Sequence, residues 1–554
     1  MPRIIYLLAA LAVALSCETQ TATNVRVDLS INEGAFSPIY SWFGYDEPNY
    51  TTMQHGRELL RELHDLTPAP VYVRTHNLLT TGDGRPDLKW GSTNAYTEDA
   101  QGKPIYSWTI LDQIFDAYAA AGVRPMVEIG FTPQALSTRP DPYRTSFPGN
   151  VTDAGWSYPP KDYKRWQDLV HALAEHLEQR YGKNEVATWY WEVWNEPDIS
   201  YWKGTQEDYN RLYDYAVAGV RSALPHARVG GPATTGPAGS HAAHYLQAFL
   251  EHCAKGTSAA TGGAVPLDFI SFHAKGRPNL VEGHVQMGLG KELQDVAAGF
   301  AIVHSFPRFQ KLPIILSEAD PEGCAACSAR THPQNAYRNG PLYACYTAAA
   351  IKALFQLADR NQANLISMLT WAFEFEEQPY FDGLRTLASN GVDKPVLNVF
   401  RIAGLMAGNR VRVESDGAVE LDDIVKSGVR QKHDIDALAT RTQNQAAVML
   451  WNYHDDDVPA PPATVDLTIQ GLPPSAHRVL FQHYRIDDHH SNAYSVWKQM
   501  GSPAQPTPEQ VAQLQAAGKL ELLDSPQWLS VEAGTAKIQV SLPHQAVSLM
   551  HLSW

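Results

Sequence analysis

At 554 residues the chain exceeds what one hydrophobic core organises, so at least two domains are expected. Its 44% apolar and 19% charged residues are an ordinary globular mix. The net charge of -15 argues against a nucleic-acid partner, whose phosphates call for clustered Lys and Arg, and beyond the N-terminus no stretch is long enough to span a membrane.

The chain opens with Arg3 and an apolar run from Ile4 to Leu15, too short to cross a bilayer but suited to a signal peptide. Residues 1–23 are therefore assigned to export, which places the mature chain in the periplasm or outside the cell. Ser16-Cys17 admits a second route, a lipoprotein acylated on Cys17 and so held at a membrane, although the residues before it suit that processing site poorly. Export permits disulfides. Cys324-Ala-Ala-Cys327 has the spacing of a redox or zinc pair, yet no second close pair of Cys or His completes a metal site, which favours a local disulfide or buried thiols. Cys253 and Cys345 are left without an assignment.

Asn24–Leu29 alternates apolar and polar residues as a strand does. It has no role in the count that follows, so residues 24–36 are expected to join a distant β-domain. Strand and helix then alternate. Ile39–Gly44 predicts a first strand, and Arg57–Leu66 a helix with Leu59, Leu60, Leu63 and Leu66 on one face. Val71–His76 is a second strand with Arg74 and His76 near its end. A loop-rich insert, Leu78–Trp108, follows, of a size that usually shapes a site. Ile110–Ala121 is a helix stopped by Gly122, Pro125–Phe131 a third strand, and Asp162–Tyr181 a helix stopped by Gly182.

The fourth strand, Trp189-Tyr190-Trp191-Glu192-Val193-Trp194, carries Asn195-Glu196-Pro197-Asp198 at its end. Pro197 cannot continue a ladder and is expected to push Glu196 toward an extended conformation. An acid beside these aromatics should have a raised pKa, which suits a proton donor. Helix Glu207–Leu224, strand Arg228–Pro232, helix His241–Cys253, strand Leu267–His273 and helix Lys291–His304 come next. The seventh strand, Pro313–Glu318, ends on a second carboxylate. Helix Ala344–Asp359 leads to an eighth strand, Leu365–Phe373, with Trp371 near its end and Phe375-Glu376-Glu377 beyond. Eight such units over about 360 residues predict an α/β chain folded as a (β/α)8 TIM barrel, residues 37–400.

From about Phe400 the texture changes to short strands split by turn residues, among them Val448–Trp451, Ala463–Ile469, His477–Tyr484 and Ile538–Leu542, with one predicted helix at Pro508–Ala517. Residues 401–554 are read as an all-β sandwich. Three βα units separate Glu196 from Glu318, which sets them on opposite walls of one barrel mouth, where a protonated and an ionised carboxylate together can break a glycosidic bond.

Several segments together resemble glycoside hydrolase family 39, the bacterial β-xylosidases among them: Tyr45-Asp46-Glu47-Pro48-Asn49, Val73-Arg74-Thr75-His76, Trp191–Asp198, Val229-Gly230-Gly231-Pro232, Phe269-Ile270-Ser271-Phe272-His273 and Phe375-Glu376-Glu377. The resemblance spans about Phe43 to Phe400 and is also usual with a C-terminal β-sandwich. It implies a retaining exo-glycosidase that takes xylose from the non-reducing ends of β-1,4-linked xylo-oligosaccharides without metal or organic cofactor. Glu196 is then the acid/base, Glu318 the nucleophile and Asn195 the ligand of the sugar 2-hydroxyl. His76, His273, Glu376 and Glu377 bind the other hydroxyls, and Trp371 lies under the ring, although a His or Trp at a strand end can also be plain core.

Two departures from the family pattern stand out. Ala274-Lys275 follows His273 where a Tyr near the nucleophile is common, and Ala319-Asp320-Pro321-Glu322 follows Glu318. Both bear on how the nucleophile is tuned and on the sugar. The same chemistry on a β-galactoside, an arabinose-containing oligosaccharide or an iduronate is the alternative, as is a non-catalytic carbohydrate-binding protein. Iduronate calls for a basic cluster, and Glu376-Glu377 speaks against it.

Overall fold

The computed structural model describes residues 22–46, 48–82, 92–139, 143–147, 150–154, 156–372 and 376–554, with 143–147 and 150–154 as backbone only. The expected signal segment, Cys17, Glu47, Phe373 and Phe375 lie outside the described residues.

The parallel barrel runs, in hydrogen-bonded order, through Leu365–Met368, Ile314–Asp320, Phe269–Lys275, Arg228–Thr234, Tyr190–Val193, Arg124–Ile129, Tyr72–Thr75, Trp42–Tyr45 and Thr370–Trp371. The eighth strand is broken, and the break closes the ring. Its first half pairs with the seventh strand and its second half with the first. Leu369, between the halves, bonds twice to the seventh strand, donating to Leu316 O at 2.9 Å and accepting from Ala319 N at 2.7 Å. Two strands run further than their sequence suggests. The sixth continues past His273 to Lys275 and the seventh past Glu318 to Asp320, because His273-Ala274-Lys275 and Glu318-Ala319-Asp320 pair in register.

Helices cover the barrel with the apolar faces their spacing predicts. Tyr163–Tyr181 buries Trp166, Leu169, Val170, Leu173, Ala174 and Leu177, and the Asp162 side chain caps its N-terminus by accepting from Lys164 N and Arg165 N. Gly122 ends Thr109–Ala121 at φ 77°, a left-handed cap open to glycine at little cost.

The C-terminal strands form one ten-stranded sheet whose two ends share an apolar core, in which Val465 and Leu467 near one end join Val479 and Phe481 near the other. In Ala463–Gln470 every second residue is buried, the period of a strand packed on one face. The N-terminal strand, Thr23–Ala35, lies inside this sheet, antiparallel to Asn409–Ser415 and parallel to Ala463–Gln470. Strands Asn409–Ser415, Asp434–Arg441 and Val547–Ser553 and the helix Pro395–Leu405 were not legible in the sequence pattern.

The helix Pro341–Asn361 joins the two parts and is buried on nearly all sides. Lys352 pairs with Asp436 of the sandwich, Asp359 with Arg410 at 2.7 Å, and Cys345 Sγ contacts Ala546 O at 3.5 Å. A cavity of about 710 Å³ opens along this seam, but no candidate catalytic residue lines it.

Candidate active site

The fourth strand stops at Val193, where the chain turns sharply. Trp194 and Glu196 take φ 74° and 44°, left-handed values uncommon for residues with a Cβ and worth about 1–2 kcal/mol of strain each. The expected extended conformation of Glu196 before Pro197 is thus not adopted. Neighbouring segments hold the turn: Trp194 N donates to Ile129 O at 3.1 Å and Glu196 N to Ala233 O at 2.9 Å, while the buried Trp194 ring donates from Nε1 to Tyr201 O at 3.2 Å. Asp198 anchors the next loop by accepting from Thr235 N at 2.9 Å. The result points the Glu196 carboxyl into the barrel mouth.

His273 lies between the two acids. Its Nδ1 is 2.9 Å from Glu196 Oε1 and 3.7 Å from Glu318 Oε1. These two oxygens therefore cannot be further apart than the sum of those distances, about 6.6 Å, which suits a retaining pair and leaves almost none of the range in which inverting enzymes fit a water. Burial pushes the His273 imidazolium pKa down to about 3, so the ring is neutral at ordinary pH.

Glu318 is only 4% exposed. Burial alone would raise its pKa, but Lys275 first and then His273, Arg385 and His76 outweigh it and hold the carboxyl well below the usual range. The two oxygens have different surroundings. Oε2 receives the Lys275 ammonium and, at 3.0 Å, Arg385 Nη2. Oε1 has only longer contacts, 3.5 Å from Arg74 Nη1, 3.6 Å from His76 Nε2 and 3.7 Å from His273 Nδ1. Oε1 thus keeps lone-pair density free on the side facing Glu196.

Arg74 is the fully buried cation at the centre. It donates to Glu192 Oε2 at 2.5 Å and to Asn195 Oδ1 at 3.0 Å, and its Nη2 is 2.9 Å from Glu128 Oε2. Asn195 is fixed by this bond beside Glu196. His76 Nδ1 lies 2.8 Å from Asp46 Oδ1, which places the ring proton there and leaves Nε2 to accept from Arg74 Nη1. Burial and then Arg74 push the His76 pKa down, in keeping with a neutral ring. Glu128, wholly buried, is pushed well above the ordinary carboxylate range by burial against the pull of Arg74.

The remaining sequence candidates divide. Trp371 is in the site, edge-on to His76 with ring centroids 5.0 Å apart, and the Arg385 guanidinium lies 4.3 Å from its ring centroid. One face of the indole is therefore covered by protein. Glu376 is drawn elsewhere: its Oε1 accepts from His55 N at 2.8 Å, at the N-terminus of helix Gln54–Asp65, where a carboxylate satisfies an orphan donor. Glu377 follows it at φ 59°. Neither is brought into the carboxylate cluster. Residues that the sequence reading missed are Arg385, from the loop after the eighth strand, and Glu128, whose signal was a charge inside a buried strand.

A cavity of about 580 Å³ opens from Glu196, His273 and Lys275 and is walled by Arg277, Cys324 and Cys327. Cys324 and Cys327 form a disulfide, while Cys253 and Cys345 are buried thiols. Both sulfurs of the close pair are thus consumed and neither can act as a thiolate ligand. Adding a chelator is expected to leave activity and Tm unchanged, and a loss of either on EDTA treatment would restore the zinc reading.

Compared with known proteins, the chain matches the profile of Glycosyl hydrolases family 39 over residues 69–525. It is 29% identical over 466 residues to a β-xylosidase of Geobacillus stearothermophilus, covering 80% of this chain and 79% of that protein. It is 27% identical over 442 residues to an α-L-iduronidase of Mus musculus, covering 73% of this chain and 62% of that one. A monomeric β-xylosidase from Caulobacter crescentus CB15 has the same fold, with a TM-score of 0.75 at 23% identity over 96% of this chain and 99% of that structure.

Proposed function

This chain belongs to glycosyl hydrolase family 39 and is a glycoside hydrolase, and from that premise we propose that it is an exported retaining β-xylosidase acting on the non-reducing ends of xylo-oligosaccharides. The observation that supports the mechanism is the His273 nitrogen shared between Glu196 and Glu318, which keeps their oxygens within about 6.6 Å of each other, a spacing that suits a double displacement. Glu318 Oε1 attacks the anomeric carbon. The bond to the leaving oxygen breaks, and that oxygen takes the Glu196 proton. Water then attacks the same carbon, gives a proton to Glu196, and the electron pair of the ester bond returns to Glu318.

Arg74 holds Asn195 where it can meet a sugar hydroxyl, and the neutral His273 can exchange a hydrogen bond with substrate, whereas both ring nitrogens of His76 are engaged by Asp46 and Arg74. Trp371, only 1% exposed, packs beneath these groups and supports them. The sugar assignment is supported by the xylosidase relatives. Export is supported by the apolar N-terminus and by the Cys324–Cys327 disulfide, a bond favoured in oxidising compartments.

A second reading, a uronic acid glycoside, is favoured by Lys275 and Arg277 on the cavity wall and by the diversion of Glu376 to a helix end. One panel of aryl glycosides separates the two: a β-xyloside, a β-galactoside, an α-L-arabinoside, a β-glucuronide and an α-L-iduronide. The β-xyloside is expected to be the preferred substrate, and preference for a uronide would move the assignment to the second reading. NMR of the first-formed product from the preferred substrate is expected to show the anomeric configuration retained. An inverted anomer removes Glu318 as nucleophile.

A further inference from the structure

The cations around Glu318 are not equivalent. Arg385 is shared: it donates to Glu318 Oε2 from Nη2 at 3.0 Å, and also to Asp320 from Nε at 2.7 Å and from Nη2 at 2.6 Å. Arg74 is shared among Glu192, Glu128 and Glu318. Lys275 differs. Its ammonium is in direct contact with Glu318 Oε2, and its other carboxylate neighbour, Asp320 Oδ1, is 3.8 Å away. It has little freedom to move off: a Cβ on Gly276 would lie 2.7 Å from Tyr346 Oη and 3.0 Å from Pro321 O, so the backbone beside Lys275 is tightly packed, and Gly323 approaches its Cε closely enough that a Cβ there would lie at 3.1 Å. The side chain is 19% exposed, toward the cavity.

An ion pair with Glu318 exists only while Glu318 is a carboxylate. When Oε1 bonds to the anomeric carbon the group becomes a neutral ester. Arg385 and Arg74 then keep full carboxylate partners, whereas among the described residues Lys275 keeps Asp320 at 3.8 Å and the longer-range fields of Glu322 and Glu292. Contacts that favour one state over the next act on rates through that difference. We infer that Lys275 lowers the stability of the glycosyl–enzyme relative to free enzyme, slowing formation of the ester and speeding its hydrolysis, so that the covalent intermediate does not accumulate in the native enzyme. The inference rests on the reading of Glu318 as the nucleophile of a retaining glycosidase.

The test uses Lys275→Met and Lys275→Gln, with Lys275→Arg as the variant that keeps a cation, and the 2,4-dinitrophenyl glycoside of the sugar preferred in the panel. For Met and Gln, kcat is expected to fall by about tenfold or more and KM by at least that factor, leaving kcat/KM at native or up to about threefold above it. A burst of dinitrophenolate equal to the enzyme concentration and an intact-mass adduct of one sugar should accompany the fall, and Arg should restore most of kcat. The acid limb of kcat/KM should also move to higher pH. The carboxylate otherwise faces His273 from the same strand, Arg74 and His76 from the second strand, Glu128 from the third, Glu196 from the fourth, Asp320 beyond it on the seventh and Arg385 from the loop after the eighth, all unchanged in these variants. Equal losses in kcat and kcat/KM with no adduct would overturn the inference, as would a rise in KM, which would make Lys275 a ligand of the substrate itself. These outcomes are distinct from failure of the underlying reading: in that case the native enzyme would give an inverted product, or a 2-deoxy-2-fluoro glycoside would fail to label Glu318.

Discussion

Glu318→Ala is expected to lose activity by about 10⁵-fold or more, and by the same factor for good and poor leaving groups. Glu318 supplies the attacking electron pair, and a better leaving group does not replace it. The fold should survive, because Arg385 and Arg74 keep their bonds to Asp320 and Glu192. An external anion such as azide, entering from the vacated face, would attack opposite to the departing group and give the α-azide from a β-glycoside. Rates with a dinitrophenyl glycoside, together with NMR of any product, check this. Residual turnover above about 1% with retention would pass the nucleophile's role to a neighbouring carboxylate, Asp320 being the nearest on the same strand.

Both catalytic candidates were legible because each ends a run with unmistakable strand character, and because the spacing of βα units fixes which strands they occupy. What surrounds them was less so, for physical reasons that differ from residue to residue. Arg385 comes from a loop and is recruited by Asp320 across 65 residues of sequence, and loops carry no periodicity to read. Glu376 looked like a sugar ligand but bonds to His55, 321 positions away, since an orphan N–H at a helix start competes for the same carboxylate. Lys275 was noticed only as a departure from the family pattern. Its contact with Glu318 follows from the sixth strand running two residues further than its polar end suggested, which sets His273 and Lys275 on the same face, both toward the nucleophile.

The fold shows the same division. Alternating elements announced the barrel, while the closing break at Leu369 came from pairing with the seventh strand on one side and the first on the other. Helix Pro341–Asn361 read as one more barrel helix, and its burial against the sandwich depends on contacts such as Lys352 with Asp436 that local spacing does not encode. In the sandwich, strands such as Asp434–Arg441 carry charged residues inward, where Trp451 Nε1 donates to Asp434 Oδ2 at 2.8 Å, so an apolar-polar pattern missed them.

Glu196→Ala is expected to separate the two halves of the reaction. Protonation of the leaving oxygen matters in proportion to how poor an anion that oxygen makes. With dinitrophenolate, already a stable anion, kcat/KM should fall by less than about tenfold, whereas with a sugar alcohol such as the reducing end of a xylo-oligosaccharide it should fall by about 10³-fold or more. Hydrolysis of the ester then lacks its general base, so kcat should fall on every substrate and the intermediate should accumulate. Azide needs no base. The Glu196 side chain is 13% exposed and opens on the cavity, so its removal leaves a channel by which the anion can reach the anomeric carbon from the leaving-group side. Attack there inverts the enzyme-bound centre a second time and yields the β-glycosyl azide, with kcat restored by about tenfold or more. His273 Nδ1, having lost its 2.9 Å partner, keeps Glu318 Oε1 at 3.7 Å and so still marks the nucleophile's side of the mouth. Equal losses for good and poor leaving groups, with no rescue by azide, would mean that another acid delivers the proton.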